Sequence, residues 1–140
     1  MDKAVNRLTI HVDGASRGNP GPAAIGVVIK DDRGTTELQI SCYIGEATNN
    51  QAEYKALIMG LQEASKLKAD HIDIKTDSNL MVEQVRGRYK VRNAGLRPLF
   101  EEVNRLLAIY KTHSITHIPR HLNKAADALA NEALDKLRTH

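Results

Sequence analysis

Four acidic residues, Asp13, Glu53, Asp77 and Asp127, stand at two strand ends and on two helices, a joint placement that could do chemistry. Leu8, Ile10 and Val12 alternate with Thr9, His11 and Asp13, so a half-buried strand delivers a carboxylate to its C-terminal end. A second alternating stretch, residues 69–77, also ends on an aspartate. Glu53 lies four residues before Leu57, at the head of a helical stripe of Leu57, Gly60, Leu61, Ala64 and Leu67. Unpaired burial there would cost a carboxylate several kcal/mol, in order of magnitude. Asp127 borders the stripe of Ala126, Leu129, Ala130, Ala133, Leu134 and Leu137. Each acid alone has an ordinary explanation: a turn residue for Asp13 and Asp77, a first-turn acid favoured by the helix dipole for Glu53, a solvated helix residue for Asp127. Gathered together, they would repel and hold protons, and divalent cations would convert that repulsion into binding. Hard oxygen donors favour magnesium or manganese. Two such ions roughly 4 Å apart activate a water and stabilise the leaving oxygen in an in-line attack on phosphorus.

The elements that must position these acids follow from period and punctuation. Residues 14–22, rich in glycine and proline, reverse the chain after the first strand. A β-rich run over 24–30, a hairpin signal at 31–34 and a third strand over 36–44 predict three successive antiparallel strands. Thr48 or Asn49 caps a helix running to about residue 68, with Glu53 in its first turn. After the strand at 69–77, Ser78 caps a short helix over 79–85 that Gly87 closes, and 89–95 connects without a clear period. Leu99, Val103, Leu106, Leu107 and Tyr110 predict a helix of about four turns from Leu96. A fifth strand over 114–118 stops at Pro119, and the last helix opens at Asn123 or Lys124. The order β-β-β-α-β-α-α-β-α predicts an α/β fold, a five-stranded mixed sheet with an antiparallel edge and helices on both faces. Strand C-termini and the following helix N-termini share one edge of such a sheet, which lets the four acids converge.

The bulk numbers bound the rest. A chain of 140 residues, 41% hydrophobic and 26% charged, has the size and composition of one globular domain. No run approaches the ~18 apolar residues of a membrane-spanning helix. Residues 1–7 hold no apolar secretory segment, so a cytoplasmic protein, acting as a monomer, is expected. The lone Cys42 reads as a small buried hydrophobe in a strand. Twenty basic against seventeen acidic residues give a net charge of +3, compatible with nucleic acid without requiring it. The cations concentrate at Lys75, Arg86, Arg88, Lys90, Arg92 and Arg97, where a solvated positive face is the alternative to an interface.

Four segments, residues 13–21 (DGASRGNPG), 48–53 (TNNQAE), 76–78 (TDS) and 125–130 (AADALA), resemble the signature motifs of type 1 ribonuclease H, in that family's order and spacing. The resemblance covers roughly residues 8–137 and implies the ribonuclease H fold over a single domain, residues 1–140. It implies endonucleolytic hydrolysis of the RNA strand of an RNA/DNA hybrid, leaving 5′-phosphate and 3′-hydroxyl ends. Asp13, Glu53, Asp77 and Asp127 match the family's catalytic carboxylates, which hold two Mg2+ or Mn2+ ions. By the same resemblance Asp13 bridges both ions, Glu53 and Asp77 complete one, Asp127 completes the other, and Glu53 sits near the ribose 2′-hydroxyl. Gly14, Asn19, Asn50 and Asn79 are expected at the minor groove of the hybrid. Thr48 and Asn93 match positions lining a pocket for a DNA-strand phosphate, where Glu46 stands in place of an arginine found in some members.

Two departures are visible. Some members carry a basic handle, a helix and loop inserted after the third acid. Here residues 87–93 bridge that place, so the chain is similar to the handle-less, archaeal-type subgroup. Arg86, Arg88, Lys90 and Arg92 are then the expected source of substrate affinity. Many members also place a mobile catalytic histidine in the loop before the last acid. His121, six residues ahead of Asp127, stands near that place without matching its motif, and is either a catalytic assistant or an exposed loop residue. Arg120 is the alternative contact to phosphate. His11 and His117 lie in strands and read as structural.

Overall fold

The structure, a computed structural model, describes residues 7–137. Most of the N-terminal stretch read for a secretory segment, residues 1–6, lies outside the described residues. Among the described residues no helix is long and apolar enough to cross a membrane.

The element order is β1 (Arg7–Ser16), β2 (Gly21–Lys30), β3 (Thr36–Ala47), α1 (Asn49–Lys66), β4 (His71–Thr76), α2 (Asn79–Val85), α3 (Arg97–Leu107), β5 (Thr112–His117) and α4 (Lys124–Leu137), with a 3-10 turn over Arg120–Leu122. The strands form one sheet in the order β3-β2-β1-β4-β5. β1, β2 and β3 pair antiparallel, whereas β4 runs parallel to β1 and β5 parallel to β4. This is the mixed sheet expected.

Period-two alternation sorts the faces. Ile10 and Val12 from β1 and Val27 from β2 meet α1 at Gly60, forming the main core with Leu57, Leu61 and Ile74. On the opposite face Ala24 packs with Ala133 and Leu134 of α4. α4 covers β1, β2 and β3, so the outward residues of β4 remain half-buried beside solvent.

Several boundaries differ from expectation. β1 does not end at Asp13 but runs to Ser16, because β2 begins at Gly21 and holds it in register, with Asp13 opposite Gly26. The reversal therefore begins at Arg17, whose N–H donates to the Pro22 carbonyl at 2.8 Å. Glu53 lies one full turn inside α1, not in its first turn. α3 has three turns rather than four, and Tyr110 is buried beyond its end with its hydroxyl donating to the Leu61 carbonyl. Leu137 is exposed and Leu129 only half-buried, so the inner face of α4 ends at Leu134. Cys42 is also only half-buried, on the edge strand β3.

Candidate active site

The site forms where the parallel part of the sheet ends. β1 and β4 are in register from Arg7 opposite His71 to His11 opposite Lys75, and two further residues bring Asp13 level with Asp77. Two glycines then let helices reach this point. A Cβ on Gly14 would stand 2.2 Å from the Ala52 carbonyl carbon, so only glycine lets α1 lie against β1 here. The Gly14 N–H donates to Glu53 Oε1 at 3.0 Å and fixes that carboxylate beside Asp13. On the other face a Cβ on Gly26 would fall 1.9 Å from the Ala126 carbonyl oxygen, and Gly26 is the partner of Asp13 across the hairpin. α4 thereby brings Asp127 to Asp13 from the face opposite α1.

Asp13, Glu53 and Asp77 each place a carboxylate oxygen within 4.8 Å of the other two. Asp127 lines the same cleft, adds to the charge that raises the Asp13 carboxyl, and lies 3.8 Å from Arg120. Asp13 is only 5% exposed, and burial first, then Glu53 and Asp77, push its carboxyl up to about 9. Burial and Asp77 push Glu53 up to about 8, against the lowering effect of the Gly14 N–H and Arg120. Asp77 is also raised, by burial, with Arg120 opposing. Such a cluster binds a divalent cation readily. Its donors are hard oxygens, its charges are already partly desolvated, and the Arg120 guanidinium does not offset them.

The acids line one polar cleft of about 520 Å3 together with Gly14, Asn50 and Arg120. The other expected residues border it or stand apart. Asn19 accepts a hydrogen bond from the Asn49 N–H at 3.0 Å, tying the loop after β1 to the start of α1. Thr48, rather than Asn49, caps α1, its hydroxyl accepting from the Gln51 N–H while Gln51 Oε1 accepts from the Thr48 N–H. Asn93 accepts from the Gly95 N–H, and Gly95 packs between Asn93 Oδ1 and Gln51 Nε2. Asn79 is exposed at the start of α2. His121 is exposed in the 3-10 turn and does not line the cleft, whereas its neighbour Arg120 does. His11 is half-buried in β1 and His117 exposed at the end of β5.

Three contributors escape a sequence reading. Asn131, one turn after Asp127, donates from Nδ2 to Asp127 Oδ1 at 3.2 Å and to the Asp127 carbonyl at 3.0 Å. Arg17 lines the cleft and pairs with Asp135 at 2.7 Å, its guanidinium also 3.4 Å from Asn131 Oδ1. Asn123 is buried and donates from Nδ2 to the Val12 carbonyl at 2.9 Å, pinning the entry of α4 to β1 next to Asp13. The i, i+4 spacing of Asp127 and Asn131 was the one local signal among them.

A mixed sheet that gathers carboxylates from two parallel strands and from helices on both faces defines a nuclease-like, cation-binding class of site. The profile of the reverse transcriptase-like family matches residues 11–133. Ribonuclease HI of Halobacterium salinarum is 46% identical over 92% of this chain and 65% of its own length. The crystal structure of RNase H1 from that archaeon superposes with a TM-score of 0.91 at 45% identity, covering 94% of this chain and 99% of that one. LC11-RNase H1, solved in complex with an RNA/DNA hybrid, gives 0.88 at 42% identity over 93% and 98% of the two chains. The chain belongs to the type 1 ribonuclease H family, and among the described residues a short segment, 86–96, joins α2 to α3 where a handle would stand. It spans 65% of the Halobacterium protein and 36% of a bifunctional protein of Mycobacterium tuberculosis that is 42% identical to it.

Proposed function

We propose that residues 1–140 form a single catalytic domain, an endoribonuclease that hydrolyses the RNA strand of RNA/DNA hybrids with two Mg2+ or Mn2+ ions and leaves 5′-phosphate and 3′-hydroxyl ends. The observation that carries this is the convergence of Asp13, Glu53, Asp77 and Asp127 in one polar cleft of a ribonuclease H fold. When bound, such ions lower the pKa of a water and offset the charge that develops on the leaving oxygen during in-line attack at phosphorus.

The chain supplies the frame for that chemistry. Asp13 belongs to both carboxylate groupings, with Glu53 and Asp77 on one side and Asp127 on the other. The Gly14 N–H holds one Glu53 oxygen, and Asn131 holds one Asp127 oxygen, so neither acid is free to rotate away. Arg120 faces the acids with its side chain 80% exposed, placed to meet a phosphate entering the cleft. Asn19 and Asn50, with the backbone at Gly14, form the wall offered to the minor groove, where a 2′-hydroxyl distinguishes RNA from DNA. Thr48 and Asn93 approach one another through Gln51 and Gly95 and offer hydroxyl and amide groups to a phosphate of the uncut strand. Asn79 extends the groove-facing wall beyond Asp77, whereas His121, exposed and outside the lining of the cleft, is given no part in the chemistry.

The test is a cleavage panel with end-labelled RNA/DNA hybrid, duplex RNA and duplex DNA, each with magnesium or manganese. The expected outcome is cutting of the RNA strand of the hybrid alone, with products that a 3′-hydroxyl-dependent polymerase extends. Equal cleavage of duplex RNA, or loss of dependence on the divalent ion, would overturn the reading.

A further inference from the structure

The cationic cluster between α2 and α3 divides into two halves with different work. Arg86 is part of the fold: its guanidinium donates to the Ile115 carbonyl at 2.6 Å, closing the free edge of β5. Arg88 is tied to Glu83 at 3.4 Å, and the N–H groups of Arg88 and Tyr89 both donate to the Glu83 carbonyl. These contacts fix the start of the segment. Val91 is buried in the main core and fixes its middle. Between and beyond these anchors, Lys90 and Arg92 are exposed on either side of Val91, and neither forms an ion pair or side-chain hydrogen bond among the described residues.

Lys90 and Arg92 stand two residues apart on either side of the buried Val91, so one short stretch, anchored at both ends, offers two cationic side chains to solvent. They flank a groove of about 550 Å3 that also takes Arg97, the half-buried Phe100 and the exposed ring of Tyr89. Arg97 is paired with Glu101, which also lines the groove, at 3.6 Å, so Lys90 and Arg92 are the cations left to meet the phosphates of a duplex backbone. Asn93, which follows Arg92, and Gly95 pack at the Gln51 side chain of α1, next to the cleft-lining Asn50, so the segment that carries both cations docks on the helix that borders the cleft.

We propose that Lys90 and Arg92 form a rigid phosphate-binding strap that holds the hybrid beside the cleft, while Arg86 and Arg88 serve the fold. The inference rests on the hybrid-cleaving reading and specifies which residues grip that substrate outside the acidic site. The expectation that all four cations supply substrate affinity is thereby halved.

The experiment measures binding of a fluorescent RNA/DNA hybrid by anisotropy, in magnesium buffer, to Asp13→Asn protein, which leaves the hybrid uncut. The logarithm of the association constant is followed against the logarithm of salt concentration. Each phosphate contact contributes about −0.9 to that slope, so adding Lys90→Ala and Arg92→Ala should make it shallower by about two, with affinity roughly tenfold weaker at low salt. Lys90→Arg with Arg92→Lys should retain the parental slope. Arg86→Ala should lower the urea midpoint of unfolding and leave the slope as it was. A slope unchanged in the Lys90/Arg92 variant, or changed as much in the Arg86 variant, would overturn the strap while leaving the hybrid reading intact. Failure of the Asp13→Asn parent itself to bind the hybrid would overturn both.

Discussion

Asp13 is buried, faces two other carboxylates within 4.8 Å and has Asp127 as a further acidic neighbour, so its protonation is coupled to folding as well as to chemistry. The carboxyls of Asp13 and Glu53 are held up to about 9 and about 8, by burial first and neighbouring acids second. In the unfolded chain both ionise near pH 4. Between those limits the folded, cation-free protein keeps protons that the unfolded chain has released, so its stability falls as pH rises from about 4 through 8 to 9. Asp13→Asn removes one of these carboxyls, and with it the cost of keeping it protonated at a pH where the unfolded chain ionises it. At pH 8 with chelator the variant is expected to be more stable than its parent, by roughly 1–3 kcal/mol in urea unfolding. The difference should shrink toward pH 4, and a variant less stable than its parent at pH 8 would show that the acids are not in mutual repulsion. The same substitution should cut hybrid cleavage at least roughly a thousandfold. Asn131→Ala is a milder case, because it removes only the amide that orients Asp127 Oδ1. A loss in kcat of roughly 10–100-fold with little change in KM is expected, and Asn131→Asp should not restore it, since it adds a fifth carboxylate.

At the scale of elements, the site depends on how closely two helices approach the sheet. Gly14 and Gly26 leave no room for a methyl group against Ala52 and Ala126, so Gly26→Ala must push α4 outward and carry Asp127 away from Asp13. A loss of roughly 2–4 kcal/mol in urea unfolding is expected, with residual cleavage reduced at concentrations where the protein is still folded. Unchanged stability would mean that α4 does not rest on that glycine. Much of this frame was legible in the chain. Alternation marked β1 and β4, a β-rich run and a hairpin signal marked β2 and β3, Pro119 marked the end of β5, and caps or stripes marked the four helices. The acids stood out because each occupied a strand end or helix stripe that ordinary patterning fills otherwise. Element ends were less legible, since they depend on partners distant in sequence: β1 continues past Asp13 only because β2 pairs with it as far as Ser16. The close approach at Gly26 and the Asn123 bond to the Val12 carbonyl were hidden for the same reason, as both join residues about a hundred positions apart. Arg86 read as one cation of a basic run until its bond to Ile115 separated it from Lys90 and Arg92.

For the whole molecule, the balance of charge matters more than its total. A net charge of +3 over 140 residues is small, yet four of the seventeen acids meet in the cleft, and two cations without a partner among the described residues, Lys90 and Arg92, flank the groove between α2 and α3. On the proposed reading, grip on a hybrid would be electrostatic and short-range, since among the described residues only segment 86–96 joins α2 to α3. Cleavage by this chain should therefore be distributive and fall steeply with salt, which a product ladder from excess labelled hybrid would reveal at early times. Long runs of cuts on single molecules would contradict that expectation. The central claim is that the four carboxylates meet around divalent ions. Its most direct measurement is the anomalous diffraction of crystals grown with manganese and a hybrid. The account predicts ion density touching Asp13, Glu53 and Asp77, with further ion density between Asp13 and Asp127. Manganese bound elsewhere, or a cleft in which Asp13 touches no ion while the hybrid is seated, would contradict it.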